Sequence, residues 1–182
     1  TADGLWVAES FHLLEEALRS DLEVPTILAS TKVQGAVERH VGKLKSVRLT
    51  VVAEPLFRRI AGTESTQGVI SLVRPPAWRL QDVFRRSPLV VALDGLQDPG
   101  NAGAIVRSAE AFGATGVIFL AGTASPFNAK TLRASTGSLF RVPFVFGIDT
   151  KIVRAAFRQR KIQRVAATPR AKLQLDRYGW NA

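Results

Sequence analysis

Apolar positions along the chain switch between two patterns, short runs of strand length and stripes at helical spacing. Residues 5–8 read as a strand, and Ser10 then stands as N-cap to a helix over residues 11–19, where Leu14, Ala17 and Leu18 make an apolar stripe. The unit recurs. Residues 24–29 read as a strand, Val33, Val37 and Val41 return at helical spacing, residues 47–52 read as a strand, 54–60 as a short helix and 67–73 as a closing strand. Strands alternating with helices predict a small α/β domain over residues 1–75.

Pro75 and Pro76 end that pattern, because consecutive prolines neither donate to a ladder nor continue a helix. Residues 76–87 read as a linker, and a second α/β pattern starts at Pro88. Its first run, residues 89–93, shows no alternation, as expected of a strand buried on both faces in a parallel sheet. Helix is predicted over 102–112, strand over 116–120, helix over 127–134, extended chain over 142–146, helix over 152–160 and extended chain over 164–167. The whole predicts an α/β protein with a small N-terminal domain and a parallel-sheet domain at residues 88–182.

Composition narrows the chemistry. The 182 residues include no Cys, which excludes disulfides, thiolate metal sites and a Cys nucleophile. His12 and His40 lie 28 positions apart, without ligand spacing, so no metal site is expected. No apolar run approaches the ~20 residues of a membrane helix, so no membrane partner and a cytoplasmic location are expected. The net charge of +10 is unevenly placed: residues 1–87 hold 12 basic and 10 acidic side chains, residues 88–150 hold four of each, and residues 151–177 hold nine basic and one acidic. That last cluster suits a phosphate backbone, or is a solvated helix face.

The segment from Asp94 to Gly113 carries the strongest local signal. A strand runs into a Gly-rich turn that opens a helix, whose free N–H groups favour anions or polar ligands. Ile105, Ala109 and Phe112 fall at packing positions and Arg107 on another side. Taken alone, Asn101 reads as a cap and Arg107 as a partner for Glu110 at i+3. Gly95, Gly100 and Gly103 do not match the dinucleotide fingerprint, no Gly-Lys-Ser/Thr follows, and no acid ends the 116–120 strand to hold a ribose, so nucleotide-dependent hydride transfer and hydrolysis are disfavoured.

Asp98-Pro99-Gly100-Asn101-Ala102-Gly103-Ala104 with Arg107-Ser108-Ala109 resembles the first signature motif of the SpoU/TrmH family of RNA ribose 2′-O-methyltransferases, in the SPOUT superfamily. The likeness continues through Phe112-Gly113-Ala114, residues 130–138 and Val142-Pro143. Residues 7–10, 14–18 and 66–70 resemble the ribosomal-protein-like RNA-binding domain that precedes the catalytic domain in many members. The resemblance implies S-adenosylmethionine as cofactor, RNA as partner with rRNA favoured over tRNA, and a homodimer. It places the motif Asn and Arg on Asn101 and Arg107 as catalytic residues. A guanidinium is a poor base near neutral pH, so Arg107 is expected to hold phosphate and the developing 2′-alkoxide. The resemblance also implies that Arg133 and Ser135, with Thr136 and Gly137, bind RNA or brace the active-site loop, that Asn128 and Lys130 share that surface, and that Thr168 begins the cofactor pocket. Two further family motifs, which make most of that pocket and thread the α/β knot, would follow Trp180, whereas the sequence ends at Ala182. The chain is therefore expected to be truncated before the knot, which leaves a non-catalytic RNA-binding module as the alternative.

Overall fold

A computed structural model of the chain describes residues 4–42, 47–85, 87–168, 171–172, 174, 177 and 179. Residues 1–149 form one compact unit and 150–182 a second. The first unit contains two sheets. Its N-terminal sheet takes β1 (Trp6–Ala8), β2 (Thr26–Ser30), β3 (Arg48–Val52) and β4 (Val69–Val73) in the order β1-β4-β2-β3. β2 and β3 run parallel, while β4 lies antiparallel to both β1 and β2. The intervening helices are α1 (Phe11–Arg19), α2 (Gln34–Val41) and α3 (Glu54–Ile60). Ser10 caps α1 as predicted, its Oγ accepting the Leu13 N–H at 3.1 Å, and Leu13, Leu14 and Ala17 form the buried face.

The second sheet is wholly parallel. β5 (Val90–Leu93), β6 (Gly116–Leu120) and β7 (Phe144–Ile148) lie in sequence order, with α4 (Pro99–Ala111) and α5 (Ala129–Ser135) as crossovers. Position in the sheet, rather than apolar content, decides burial. β5 is an edge strand with Leu89 and Ala92 exposed, whereas central β6 is buried at all five positions. The expectation of a doubly buried strand therefore belongs to β6 and not to residues 89–93.

Two further sequence expectations are corrected. α4 begins at Pro99, not 102, because Asp98 caps it and the fixed φ of proline suits the first helical turn. Phe112 leaves the packing stripe and is 83% exposed, while Ala102, Gly103, Val106 and Ala109 form the buried face. Between the two sheets Leu80–Val83 makes a 3-10 turn, Val83 is fully buried, and its carbonyl accepts the Thr115 hydroxyl at 2.9 Å.

One apolar core runs through both sheets. Its hinge point is Trp6, fully buried on β1 yet packed among residues more than a hundred positions away, with ring centroids 5.5 Å from Phe140 and 5.9 Å from both Phe127 and Phe144. Its indole N–H donates to the Pro126 carbonyl at 3.1 Å, which satisfies the only polar atom the side chain buries.

The second unit contains α6 (Thr150–Gln159), in which Val153 and Ala156 are buried. Residues 164–167, expected to be extended, pair in no ladder and are exposed.

Replacing Trp6 with Ala should cost roughly 3–5 kcal/mol of unfolding free energy in a urea titration, the range for emptying a large aromatic site. A loss below about 1 kcal/mol would show that the aromatic cluster does not join the sheets.

Candidate active site

The carboxyl end of the second sheet is shaped by the loop after β5 and the loop after β6. Thr123 staples them: its hydroxyl donates to the Leu93 carbonyl at 2.9 Å and accepts the Gly95 N–H at 3.2 Å, and the Ala124 N–H reaches the Leu96 carbonyl at 2.7 Å. Gln97 Nε2 adds a hydrogen bond to the Gly122 carbonyl. The two loops therefore hold the starts of α4 and α5 at fixed positions.

Those helices pack unusually close. A Cβ on Gly103 would lie 2.2 Å from the Thr131 carbonyl oxygen and 2.7 Å from the Ala134 Cβ, so only hydrogen fits there. The contact aligns the two N-termini. Asp98 Oδ1 accepts the Asn101 N–H at 2.7 Å and Oδ2 receives Lys130 Nζ at 3.2 Å, while Asn128 caps α5 by accepting the Lys130 N–H at 2.8 Å. The Asn101 amide, followed by Lys130, holds the Asp98 carboxyl below its ordinary range. An anion site at the start of α4, as the Gly-rich turn suggests, is thus filled by the chain's own carboxylate, which repels phosphate.

The remaining charges divide cleanly. Arg133 lies 3.4 Å from Glu9, a carboxylate 6% exposed that also accepts the Thr63 hydroxyl at 3.0 Å. Arg141 is bidentate on Glu110, at 2.6 and 3.1 Å, and reaches Glu16 of α1 at 2.5 Å. Gly137, with φ +90°, leaves room for the Glu16 side chain, which would stand 2.8 Å from a Cβ there. Burial pushes the Glu110 carboxyl up, but its bonds to Arg141 and Ser138 and the Arg141 charge outweigh this and lower it; Glu16 is likewise raised by burial and lowered further by Arg141, His12 and Arg19.

Arg107 is left over. Glu110, the partner expected of it, faces Arg141 instead, and Arg107 is exposed with no hydrogen bond or ion pair among the described residues. Asn101 is also exposed, and it lies with Ala104, Arg107 and Ser108 on the solvent side of α4. Six residues of helix separate Asn101 from Arg107, about 9 Å of rise.

The other candidate residues have structural engagements. Ser135 is buried and donates to the Leu132 carbonyl at 2.8 Å; Asn128, Lys130 and Arg133 cap and pair as described. Thr168 lies in the second unit, exposed, its carbonyl accepting the Ala171 N–H at 3.1 Å. His40 sits 2.9 Å from Glu15, and His12 is exposed on α1. Sequence reasoning missed Glu9, Glu16, Arg141 and Thr123, whose partners are remote in sequence. It also passed over Asp98, although Asp followed by Pro is a helix-start signal.

A parallel sheet whose first crossover helix offers an uncommitted arginine and an asparagine on one side suits an enzyme acting on a polyanion. Residues 88–181 match the SpoU rRNA Methylase family and residues 1–71 the MRM3-like substrate binding domain, so the chain belongs to the SpoU rRNA methylase family. It is 32% identical over 145 residues to 23S rRNA (guanosine(2553)-2′-O)-methyltransferase RlmP of Bacillus subtilis, covering 80% of this chain and 55% of that protein. It is 28% identical over 155 residues to human mitochondrial rRNA methyltransferase 3, covering 82% and 37%. The crystal structure of the SpoU methyltransferase AviRb from Streptomyces viridochromogenes, in complex with AdoMet, superposes with a TM-score of 0.77 at 27% identity, covering 88% of this chain and 62% of AviRb. The chain thus spans about half the length of the RlmP relative.

Tested against a methyl donor of that kind, the described residues fall short. Where β5, β6 and β7 end, Thr123 has its hydroxyl committed and Ala121, Gly122, Phe146 and Gly147 are exposed. By themselves they do not enclose S-adenosylmethionine.

The Glu16 and Glu110 carboxyls, both lowered through Arg141, predict a pH dependence. Their contribution to stability is full above the ordinary glutamate range and is lost as pH falls through their depressed values. Urea unfolding from about pH 6 to about pH 3 should therefore lose stability more steeply in the parent than in Arg141→Ala, which frees both carboxylates. Equal slopes would contradict the bridge.

Proposed function

We propose that the protein is an RNA ribose 2′-O-methyltransferase acting on ribosomal RNA, with S-adenosylmethionine as methyl donor, and that this chain supplies the RNA-facing side of the active site. The observation that carries the reading is Arg107: of the four cations between residues 88 and 150, it alone has no acidic partner among the described residues. A cation kept exposed and uncommitted within a family motif is available to a substrate anion. Its planar fork suits the phosphate beside the target ribose, and its charge favours the 2′-oxygen as that oxygen loses its proton. Asn101, one and a half turns earlier, orients the nucleotide by hydrogen bonding.

In this reading residues 1–75 form the RNA-binding substrate domain, 76–87 the connector and 88–182 the methyltransferase portion. Arg133, Ser135, Asn128 and Lys130 act mainly by bracing the active-site loops, with Lys130 and Asn128 the more exposed toward RNA. Thr168 contributes to the donor pocket. The enzyme works as a cytoplasmic homodimer; no helix among the described residues is long and apolar enough to cross a membrane.

Incubation of the full polypeptide with ribosomal RNA and methyl-labelled S-adenosylmethionine tests the reading. Transfer to a ribose should be lost by at least about 100-fold in Arg107→Ala, the scale of removing a transition-state charge partner, and Arg107→Lys should recover only part of it. Parent-like turnover in Arg107→Ala, or label on a base, would refute it.

A further inference from the structure

The basic cluster of the second unit is not used by the site above. Residues 150–168 carry Lys151, Arg154, Arg158, Arg160, Lys161 and Arg164, and no Asp or Glu. The first unit is different in kind: among its described residues Glu9, Glu15, Glu16, Glu23, Glu54, Asp98 and Glu110 each meet a cation. On α6, Val153 and Ala156 are buried, while Lys151, Arg154 and Arg158 are exposed. At 100° per residue these three fall within an arc of about 60°, spaced three or four residues apart, and Lys161 follows just beyond the helix end, where the backbone turns to φ +54°.

Helix stability does not account for such a stripe. Cations at i, i+3 and i+4 repel one another, and Lys151 in the first turn opposes the helix dipole, although Arg158 in the last turn is favoured by it. Arg154, Arg158 and Lys161 make no ion pair among the described residues, and Arg160 turns back along the helix, its Nη1 donating to the Ala156 carbonyl at 3.5 Å. The opposite face does not suit burial in a lipid surface, because Val153 and Ala156 are already covered and Ile152 alone is a large exposed apolar side chain on the helix.

We propose that the outer face of α6 is a second RNA-docking surface, on which Arg154, Arg158 and Lys161 contact successive phosphates of a folded RNA segment outside the methylated nucleotide. This rests on the RNA-modifying role proposed above and deepens it. Side chains about 5–6 Å apart along one line match a row of phosphates and read no base, so the surface adds affinity and orientation rather than sequence choice.

The test uses the full chain and its Arg154→Ala/Arg158→Ala/Lys161→Ala variant, with a labelled RNA hairpin of about 20 base pairs followed by anisotropy across a series of KCl concentrations. Alanine is a strong helix former, so α6 is retained, and an unchanged circular dichroism melt checks this. The variant should bind at least about tenfold more weakly at low salt, and its slope of log affinity against log salt should be shallower by about 3, one unit per lost phosphate contact. Binding within twofold of the parent with an unchanged slope would overturn the proposal, as would capture of the parent by phosphatidylglycerol vesicles in preference to the hairpin. Arg107→Ala, measured alongside, separates the two readings. It should lose methyl transfer while making the salt slope shallower by no more than about 1, its single phosphate contact, so a failure of catalysis and a failure of α6 docking give different results.

Discussion

The site depends on how closely α4 and α5 approach at Gly103, where the Thr131 carbonyl occupies the space of a side chain. That contact lines up two helix starts that arise from different crossovers of one parallel sheet. Once they are aligned, Asp98 can cap its own helix and also receive Lys130 from the next. The loops behind them cannot drift, because Thr123 ties the end of β5 to the turn after β6. A side chain larger than hydrogen at position 103 would have to separate the helices and would break this arrangement from its centre.

Alignment of the helices fixes the electrostatics in turn. Three of the four cations between residues 88 and 150 are opposed by the chain's own acids, and two of those acids come from the N-terminal domain: Glu9 on Arg133 and Glu16 on Arg141. The N-terminal domain is therefore part of the support of the site. Trp6 does for the apolar core what Glu9 and Glu16 do for the charges. Because Arg141 draws Glu110 away, Arg107 remains exposed and unneutralised on the helix that also presents Asn101. An uncommitted cation is left here by what its neighbours are occupied with.

Much of this could be read in the sequence. Strand and helix alternation located every element of the first unit to within a few residues, because each period comes from which face is buried, and Ser10 marked the start of α1 by the chemistry of an N-cap. The Asn101 and Arg107 pair was visible as a motif. What could not be read depended on distance along the chain. Apolar composition alone could not tell the edge strand β5 from central β6, since strand order is set by crossovers. Phe112 continued a helical stripe on paper, but α4 ends at Ala111 and the side chain turns to solvent. The Arg107–Glu110 pair was a sound local expectation, overridden by Arg141 thirty-one residues on.

The claim at the centre is that the cations of residues 88–150 divide into those that hold the fold and one held in reserve. Urea unfolding of the four single alanine variants at Arg107, Lys130, Arg133 and Arg141 measures that division directly. Arg107→Ala should unfold within about 0.5 kcal/mol of the parent, as expected for an exposed residue without partners, while Arg133→Ala and Arg141→Ala, which strand partly or fully buried carboxylates, should each lose more than about 1 kcal/mol. A loss at Arg107 equal to that at Arg141 would mean that Arg107 has a structural partner and is not the reserved cation.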